Sequence, residues 1–371
     1  MDILLLEPYY GGSHRQWVDG YKTHSRHRVN VLTLPAQAWK WRMQGGAVTL
    51  ARLYHDGGYS PDVILSSDMM DLSTFRALTR DLTADIPIAL YFHENQLTYP
   101  QNSRQGHGWR YGFINYVSAM AADAIYFNSE YHRTVFFETL PKMLKHFYDY
   151  NELDSIDPLK QRSFVLPVGM DLVKFDMYCR EQTDVATPLI VWNHRWEEDK
   201  NPEAFFRALN RLSASEVDFR VAILGENTRH HTPVFNEIRN RLGERLIAFG
   251  FLSDFSDYAR LLWQADYVVT TAIQEFFGVA LAEAMYCECV PIAPKRLNYP
   301  YLIPPELHEA CLIQDDLLLA TQLQRHLHGE LTVNGAKARE AVTPFDWRIV
   351  APLYDKALIQ LAQRPQQPLE W

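Results

Sequence analysis

The sequence lacks the features that mark several large classes of protein. None of its apolar runs approaches the ~18 residues that a membrane span requires. The N-terminal stretch MDILLLEPYYGG has an acidic second residue and only a short apolar run, which predicts a strand and not a signal peptide. Four cysteines in 371 residues are too few and too irregularly spaced for a disulfide framework. We therefore expect a protein of the reducing cytoplasm that does not enter a membrane.

Several catalytic and nucleotide-binding motifs are absent as well. The sequence has no G-x-G-x-x-G and no P-loop with its lysine, so NAD binding and Walker-type hydrolysis are unsupported. It has neither the Asp-x-Asp of a metal-chelated nucleotide diphosphate nor a G-x-S-x-G nucleophile motif. Cys287 and Cys289 have no second cysteine pair, which favours core residues over metal ligands. We expect no metal and no cofactor.

Two sets of six short apolar runs are present, spaced to leave room for a helix between them. Continuous apolar runs are typical of parallel strands that are covered on both faces. They predict an α/β protein of two Rossmann-like, doubly wound domains that face a cleft, with ligands at the carboxyl ends of the strands. The runs are DILLLE, RVNVLTL, DVILSS, IPIALYF, AIYFNS and SFVLPV, then PLIVWN, FRVAILG, LIAFG, DYVVTT, CVPIAP and ACLI.

The polar, aperiodic stretch 169–188 separates the two sets of runs. We assign residues 1–172 to an N-terminal domain, 173–187 to a linker and 188–345 to a C-terminal domain. Of the net charge of −9, residues 1–171 carry −2, from 16 basic and 18 acidic residues. The first half is therefore the less repulsive half toward an anionic partner.

Polar residues follow the first and fourth predicted strands. Gly11 and Gly12 can bring backbone N–H groups close to a phosphate, with Ser13 as the N-cap of a helix through Trp17. The alternative is a plain tight turn. His93 opens the polar run HENQ directly after the fourth strand, in the position of a ligand-binding residue, and the alternative there is a structural histidine.

The segment after this run, YPQNSRQGHGWRYGF, interleaves cationic with aromatic residues. Cations and stacking surfaces together are typical of a nucleic-acid contact, and the alternative is a solvated surface loop. We treat as candidate acceptor-binding residues Glu94, Asn95, Tyr99, Arg104, His107, Trp109 and Arg110.

Two cations follow the seventh predicted strand. Arg195 and Lys200 precede a helix that starts near Pro202, and two cations at this edge can neutralise a diphosphate leaving group. The alternative is ion pairing with the acidic run EED that lies between them.

The stretch QEFFGVALAEAM follows the tenth strand and carries two glutamates in an apolar run. Glu275 falls in the loop, and a helix begins near Gly278, so the amides of residues 276–279 form a second anion site. Glu275 can reach sugar hydroxyls, and Glu283 can accept both hydroxyls of a ribose. The alternative places both glutamates on the wet edge of an amphipathic helix.

The second half resembles glycosyltransferase family 4, retaining enzymes of the GT-B fold. The resemblance rests on LPVGMDLVKF, on Arg195 and Lys200, and on AILGE, FGFLSD and EFFGVALAEA in that order. TPFDW resembles the segment before a helix that returns to the first domain, which implies such a helix and a tail over residues 346–371. In the first half, EPYYGGSH, YFHENQLTYP and YFNSEYHR are similar to the tRNA-queuosine mannosyltransferases, which move mannose from GDP-mannose onto queuosine in tRNA.

The resemblance implies a nucleotide sugar as co-substrate and queuosine-containing tRNA as partner. We expect the leaving phosphate to take the proton of the acceptor hydroxyl, so that no side-chain base is needed. The resemblance also implies that FGFLSD lines the donor base. The implied catalytic residues are His93, Arg195, Lys200 and Glu275. The implied donor-binding residues are Gly11, Gly12, His14, Asn193, Gly250, Phe251, Leu252, Phe276, Phe277, Gly278, Val279 and Glu283.

Three alternatives stay open at this point. The acceptor can be a lipid or saccharide of the cell envelope. The reaction can be that of a sugar-nucleotide 2-epimerase, since these enzymes share the GT-B architecture. The chain can also be an RNA-binding module with a decayed donor site, although the intact Arg195, Lys200, Glu275 and Glu283 argue against decay. The sequence sets no oligomeric state.

Overall fold

The computed structural model describes residues 1–99, 109–179, 187–215, 217–226 and 233–364. Within these ranges the chain forms twelve strands, sixteen α-helices and seven short 3-10 helices. It divides into two compact units, of which unit 1 contains Met1–Met170 and Trp347–Trp371 and unit 2 contains Asp171–Asp346. None of the helices in the described ranges combines the length and the apolar character needed to cross a bilayer.

Unit 1 is built on a parallel sheet whose strand order is β2-β1-β3-β4-β5-β6. Every residue of β3 and β4 is buried, as their apolar runs predict. The strands are β1 (Asp2–Tyr10), β2 (Arg28–Pro35), β3 (Val63–Ser67), β4 (Ile88–Phe92), β5 (Ala124–Phe127) and β6 (Ser163–Val165). The helices are α1 (Gly12–His24), α2 (Trp39–Gly57), α3 (Leu72–Leu78), α4 (Arg80–Thr83), α5 (Arg110–Ala121), α6 (Glu130–Leu144) and α7 (Ile156–Gln161).

Unit 2 is built on a second parallel sheet, with the order β12-β11-β10-β7-β8-β9. Its strands are β7 (Leu189–Asn193), β8 (Arg220–Leu224), β9 (Leu246–Gly250), β10 (Tyr267–Val269), β11 (Val290–Pro294) and β12 (Leu312–Ile313). Its helices are α8 (Pro202–Ser213), α9 (Pro233–Leu242), α10 (Phe255–Gln264), α11 (Val279–Tyr286), α12 (Tyr299–Leu302), α13 (His308–Cys311), α14 (Leu319–Leu327) and α15 (Gly335–Val342). The two predicted doubly wound sheets are thus confirmed, and the cleft between them stays a prediction.

The strand order of each sheet places its candidate residues at a topological switch point. The order reverses between β1 and β3 in unit 1 and between β7 and β10 in unit 2. Ligands of doubly wound sheets bind at this point, outside the carboxyl ends of the strands. The glycine pair follows β1, Arg195 follows β7 and Glu275 follows β10, so three of the candidate segments lie at these positions.

Two segments outside the sheets complete the units. The last helix, α16 (Trp347–Ala362), belongs to unit 1, where its Tyr354 hydroxyl accepts a hydrogen bond of 3.0 Å from Trp17 Nε1 in α1. Residues 173–178, within the predicted linker, form a 3-10 turn in unit 2, and the Phe175 ring lies 4.8 Å from that of Phe255. The linker residues 180–186 lie outside the described ranges.

The start of α1 differs from the prediction. The helix begins at Gly12 with Gly11 as its N-cap and without a side-chain cap, so the assignment of Ser13 as N-cap is wrong. Gly12 has a φ of 53°, a left-handed conformation that favours glycine. A Cβ on Gly11 would lie 2.4 Å from the Cβ of Ala36. The two glycines therefore let α1 start at Gly12, before Ser13, and let the chain pass close to Ala36.

Candidate active site

Lys200 lies in the loop between β7 and α8, where three oxygen atoms surround its ammonium group. Its Nζ lies 3.1 Å from Asp199 Oδ2 and 3.4 Å from Glu275 Oε2, and it donates to the Gln274 carbonyl oxygen at 3.0 Å. Burial by itself lowers the pKa of Lys200, but the Glu275 and Asp199 carboxylates outweigh burial and raise it. The structure thus brings together two of the predicted catalytic residues, with Lys200 charged.

Glu275 organises the turn that leads into α11. Its Oε1 accepts the backbone amides of Phe276 at 3.1 Å and Phe277 at 3.5 Å. The predicted anion site on the amides of residues 276–279 is therefore wrong for these two amides, because a carboxylate of the same turn occupies them. Burial raises the pKa of Glu275, but Lys200 outweighs burial and lowers it. Gly278 has a φ of 102° and caps α11, which begins at Val279 and confirms the predicted helix start.

Arg195 and His194 follow β7 and border the Lys200–Glu275 pair. Arg195 Nη1 lies 3.2 Å from Glu197 Oε1, and 56% of the Arg195 side chain is exposed. His194 is buried, and burial followed by the charge of Lys200 lowers its pKa to about 3. The acidic run between the two cations therefore supplies partners to both of them. Of the two, only Arg195 is exposed enough to turn toward a ligand.

A chain of hydrogen bonds links the end of β7 to Glu283 in α11. Asn193 Nδ2 donates to the Tyr258 hydroxyl at 3.0 Å and to the Ala280 carbonyl oxygen at 2.8 Å. The Tyr258 hydroxyl donates in turn to Glu283 Oε2 at 2.8 Å. Burial raises the pKa of the half-buried Glu283. Two predicted donor-binding residues, Asn193 and Glu283, are thus joined through a tyrosine.

The predicted base-binding segment follows β9. Gly250 has a φ of 105°, and its carbonyl oxygen accepts the Gly225 amide at 3.1 Å. The Phe251 side chain next to it is 68% exposed, which leaves its ring available for stacking. Leu252 is half-buried. The segment predicted to line the base thus presents one exposed aromatic ring.

Unit 1 carries a pair of histidines with different charges. His14 Nδ1 lies 3.0 Å from Oε2 of the fully buried Glu7, whose Oε1 accepts the Tyr9 amide at 2.8 Å. Burial lowers the pKa of His14, but Glu7 outweighs it and raises the pKa to about 9. The His93 ring lies 4.3 Å from the His14 ring and 4.5 Å from the Trp17 ring. Burial and the charge of His14 keep the pKa of His93 well below its usual value, so His93 is neutral.

Backbone contacts hold His93 in place. Its N–H donates to Asp68 Oδ1 at 2.9 Å, and its carbonyl oxygen accepts Asn128 Nδ2 at 2.8 Å. Asp68 is fully buried just after β3, and burial raises its pKa well above the usual value. His93 Nε2 is buried and has no hydrogen-bond partner among the described residues. This buried nitrogen at the end of β4 keeps His93 a candidate for contact with a ligand.

The same cluster is the one group in the described part of the chain that has the spacing of a metal site. Ligand atoms of Glu7, His14 and His93 lie within 4.8 Å of one another. Two imidazoles and a carboxylate are a suitable donor set for a transition metal. A metal ligand has to be deprotonated, however, and the Glu7–His14 contact is that of an ion pair with a protonated imidazole. The expectation of no metal stays a prediction.

The candidate acceptor-binding residues differ in their surroundings. Asn95 is fully buried, and its Oδ1 accepts two backbone amides of the following turn, both at 3.1 Å, so its side chain holds that turn. Glu94 Oε2 accepts the Tyr99 hydroxyl at 3.0 Å. Arg104 and His107 lie outside the described residues.

Trp109 and Arg110 stand at the start of α5. Trp109 is the N-cap of this helix, and Arg110 is its first residue. The exposed Arg110 donates from Nη2 to Gln44 Oε1 in α2 at 2.7 Å. Both residues therefore lie at the surface of unit 1 where α2 and α5 meet.

Three residues of these arrangements were not predicted. Glu7 closes the apolar run DILLLE inside β1, and Asp68 directly follows β3. Both are polar residues at the end of a buried apolar run, which is the signal that identified His93. Tyr258 lies inside α10, and nothing in its neighbourhood along the chain points to Glu283. The first two could have been found from the sequence, whereas the third required the fold.

Comparisons with known proteins identify the family of the chain. Residues 2–170 match the family described as tRNA-queuosine alpha-mannosyltransferase N-terminal, and residues 180–316 match Glycosyl transferases group 1. A tRNA-queuosine alpha-mannosyltransferase of Drosophila melanogaster is 35% identical over 313 residues, which cover 82% of each chain. Alpha-1,3/1,6-mannosyltransferase ALG2 of Mus musculus is 30% identical over 197 residues, 48% of this chain and 43% of that protein.

Solved structures share the fold over nearly the whole chain. Anabaena HepE in complex with UDP and glucose has a TM-score of 0.68 at 16% identity, covering 97% of this chain and 100% of its own. Sucrose-phosphate synthase from Thermosynechococcus elongatus has a TM-score of 0.70 at 16% identity, covering 97% and 99%. At this identity the likeness shows the GT-B fold alone. With the relative from Drosophila, it follows that the chain is a glycosyltransferase that belongs to the tRNA-queuosine alpha-mannosyltransferase family.

Proposed function

We propose that the protein transfers mannose from GDP-mannose to the queuosine base of tRNA in the cytoplasm, with retention of the anomeric configuration. The observation that carries the proposal is the match to a tRNA-queuosine alpha-mannosyltransferase over 82% of both chains. Family membership leaves the donor and the acceptor to be identified. The name of that relative supports mannose as the sugar and queuosine as the acceptor, and the chemistry of the two groups of residues described above is compatible with both.

Unit 2 supplies the groups for a nucleotide-sugar donor. Arg195 meets the diphosphate directly, and the charged Lys200 supports it while fixing the position of Glu275. Glu275 then accepts hydroxyl groups of the sugar, and Glu283, held by Tyr258, accepts those of the ribose. Phe251 provides a stacking surface for the base.

The proposed reaction breaks the bond between C1 of mannose and the diphosphate oxygen. Negative charge develops on the diphosphate, where Arg195 and Lys200 stabilise it. A hydroxyl of the acceptor attacks C1 from the same face, and its proton passes to the departing diphosphate. In this mechanism the neutral His93 in unit 1 contacts the sugar through Nε2, and no side chain has to act as base.

In the proposed mechanism Arg195 contacts the diphosphate and the buried charge of Lys200 lies behind it, so we propose that the reaction needs no metal. Treatment with EDTA should leave the rate of transfer unchanged. A loss of rate that a divalent cation restores would contradict this, and would direct attention to Glu7, His14 and His93.

The test is incubation of the protein with radiolabelled GDP-mannose and total tRNA, prepared with and without queuosine. Label in the queuosine-containing tRNA alone supports donor and acceptor together. An altered nucleotide sugar with no label in tRNA would favour the epimerase alternative. Label in a lipid or saccharide extract, with none in tRNA, would favour an acceptor of the cell envelope.

A further inference from the structure

The N-terminal ends of α2 and α5 form an aromatic and cationic surface on unit 1. This α2–α5 surface consists of Trp39, Lys40, Trp41 and Arg42 from the first turn of α2, and of Arg110 and Tyr111 from the first turn of α5. Helix α2 starts just beyond the carboxyl end of β2, and α5 follows the loop after β4. Since the strands are parallel, both helix starts lie at the sheet edge that also carries His93.

Contacts between the two helices fix this surface. The Trp39 and Tyr111 rings lie 5.1 Å apart, and Lys40 Nζ lies 5.7 Å from the centroid of the Trp39 ring. Gln44 joins the helices, because its Nε2 donates to the Tyr111 hydroxyl at 2.9 Å while its Oε1 accepts from Arg110. The Trp39 and Tyr111 rings and the Arg110 guanidinium are therefore held in position before any partner binds.

The exposure of these side chains indicates a binding surface. Trp41 is 61% exposed, and Lys40 and Arg110 are exposed too. Arg42 is half-buried, and its Nε donates to the Pro35 carbonyl oxygen at 3.2 Å. Neither helix has an acidic residue in its first turn, so the cations and both helix N-termini present positive charge here. An open depression of about 440 Å³ adjoins the surface, lined by Gln44, Asp71, Trp109, Arg110, Phe113, Ile114 and Phe147.

We propose that the α2–α5 surface binds a single-stranded loop of RNA, with an unstacked base on Trp41 and phosphates on Lys40, Arg42 and Arg110. Proteins recognise such loops by stacking bases on aromatic rings and by neutralising the phosphates. This assignment rests on the proposed function, in which the acceptor base is part of a tRNA, and it adds a contact outside the reacting residues.

Two features favour RNA over a membrane surface. The apolar residues of α2 beyond its first turn are buried in unit 1, including Met43, Leu50 and Tyr54, so the helix has no long apolar face to insert. Cations alternate with the aromatic residues from one position to the next, as in Trp39, Lys40, Trp41 and Arg42. An interfacial helix would require a continuous apolar face instead.

The experiment measures the dissociation constant of the full chain for queuosine-containing tRNA by fluorescence anisotropy at several salt concentrations. Trp41→Ala should weaken binding about tenfold, as the loss of one stacked base does. The double variant Lys40→Ala, Arg42→Ala should reduce the slope of log K against log salt by about 1.4, since each phosphate contact on a single strand contributes about 0.7. The matched controls are Tyr301→Ala, an aromatic residue 64% exposed in unit 2, and Arg52→Ala, an exposed arginine further along α2.

The outcomes separate this inference from the proposed function. Unchanged tRNA affinity in the α2–α5 variants would overturn the inference, and normal labelling of tRNA by the wild type would leave the proposed function standing. Weakened binding in the variants, with no mannose transfer by the wild type, would support the surface and refute the function. The wild type could instead bind phosphatidylserine vesicles and not tRNA, with Trp41→Ala abolishing the binding to vesicles. That result would overturn the RNA assignment in favour of a membrane.

Discussion

Replacing Lys200 by methionine should destabilise unit 2 and abolish most of the transferase activity of the protein. Lys200→Met keeps an unbranched side chain but removes the ammonium group that lies between Asp199 and Glu275. These two carboxylate side chains are only 20% and 23% exposed, so they would face each other in a site with little water. The perturbation therefore leaves two poorly solvated negative charges without their shared cation.

The expected loss of unfolding free energy follows from this burial. Removing one partner of a buried ion pair costs about 3–5 kcal/mol, and partial access of water to both carboxylates places this case near 3. Turnover should fall about 100-fold or more, which is typical for the loss of one group that stabilises developing charge. The double variant Lys200→Met, Glu275→Gln should lose less unfolding free energy than the sum of the losses in the two single variants. The difference should be about 1 kcal/mol or more, because the two residues share one interaction.

The assay combines urea unfolding followed by tryptophan fluorescence with initial rates of mannose transfer. Lys160→Met serves as the matched control, because the Lys160–Asp157 ion pair is exposed and should contribute less than about 1 kcal/mol. If Lys200→Met were as stable as this control and kept its turnover within threefold, the assignment of Lys200 to the diphosphate and to Glu275 would be refuted.

Three further changes test other parts of the site. Arg195→Ala should lower turnover about 100-fold while changing the free energy of unfolding by less than about 0.5 kcal/mol, since the side chain is 56% exposed. A fall in turnover that a matching loss of stability accounts for would contradict a role in charge stabilisation. Tyr258→Phe should raise KM for the donor about tenfold with a smaller effect on kcat, because Glu283 loses a hydrogen bond, and an unchanged KM would argue against a ribose contact. Glu7→Gln should cost about 3 kcal/mol of unfolding free energy below pH 6.5, because the Glu7–His14 ion pair is fully formed there. The cost should become much smaller as the pH rises through about 9, because wild-type His14 then loses its proton. Urea unfolding at pH 6 and pH 10 measures the difference, and an equal cost at both would show that His14 is neutral.

The sheets could be predicted because burial on both faces requires continuous apolar strands. DILLLE and PLIVWN, for instance, give β1 and β7 and contain no alternation that would suggest one exposed face. The start of α1 could not be predicted in the same way. Ser13 has the chemistry of an N-cap, but the left-handed conformation of Gly12 moves the helix start and leaves the serine hydroxyl without that role.

The candidate site was predictable where its residues follow strands. Lys200 and Glu275 both follow strands that neighbour each other at the switch point of the second sheet, so their contact follows from the topology. The link between Asn193, Tyr258 and Glu283 depends instead on how α10 and α11 pack, and it joins residues 25 and 65 positions apart. No local pattern in the sequence encodes such a contact.

The most direct test of the central claim is a competition between donors. The protein would be incubated with queuosine-containing tRNA and equal concentrations of GDP-mannose and UDP-glucose, and the tRNA would be digested to nucleosides for mass spectrometry. We predict that queuosine gains the mass of one hexose, and that sugar analysis after acid hydrolysis identifies it as mannose. Glucose on queuosine would contradict the donor, and unmodified queuosine with the hexose elsewhere would contradict the acceptor.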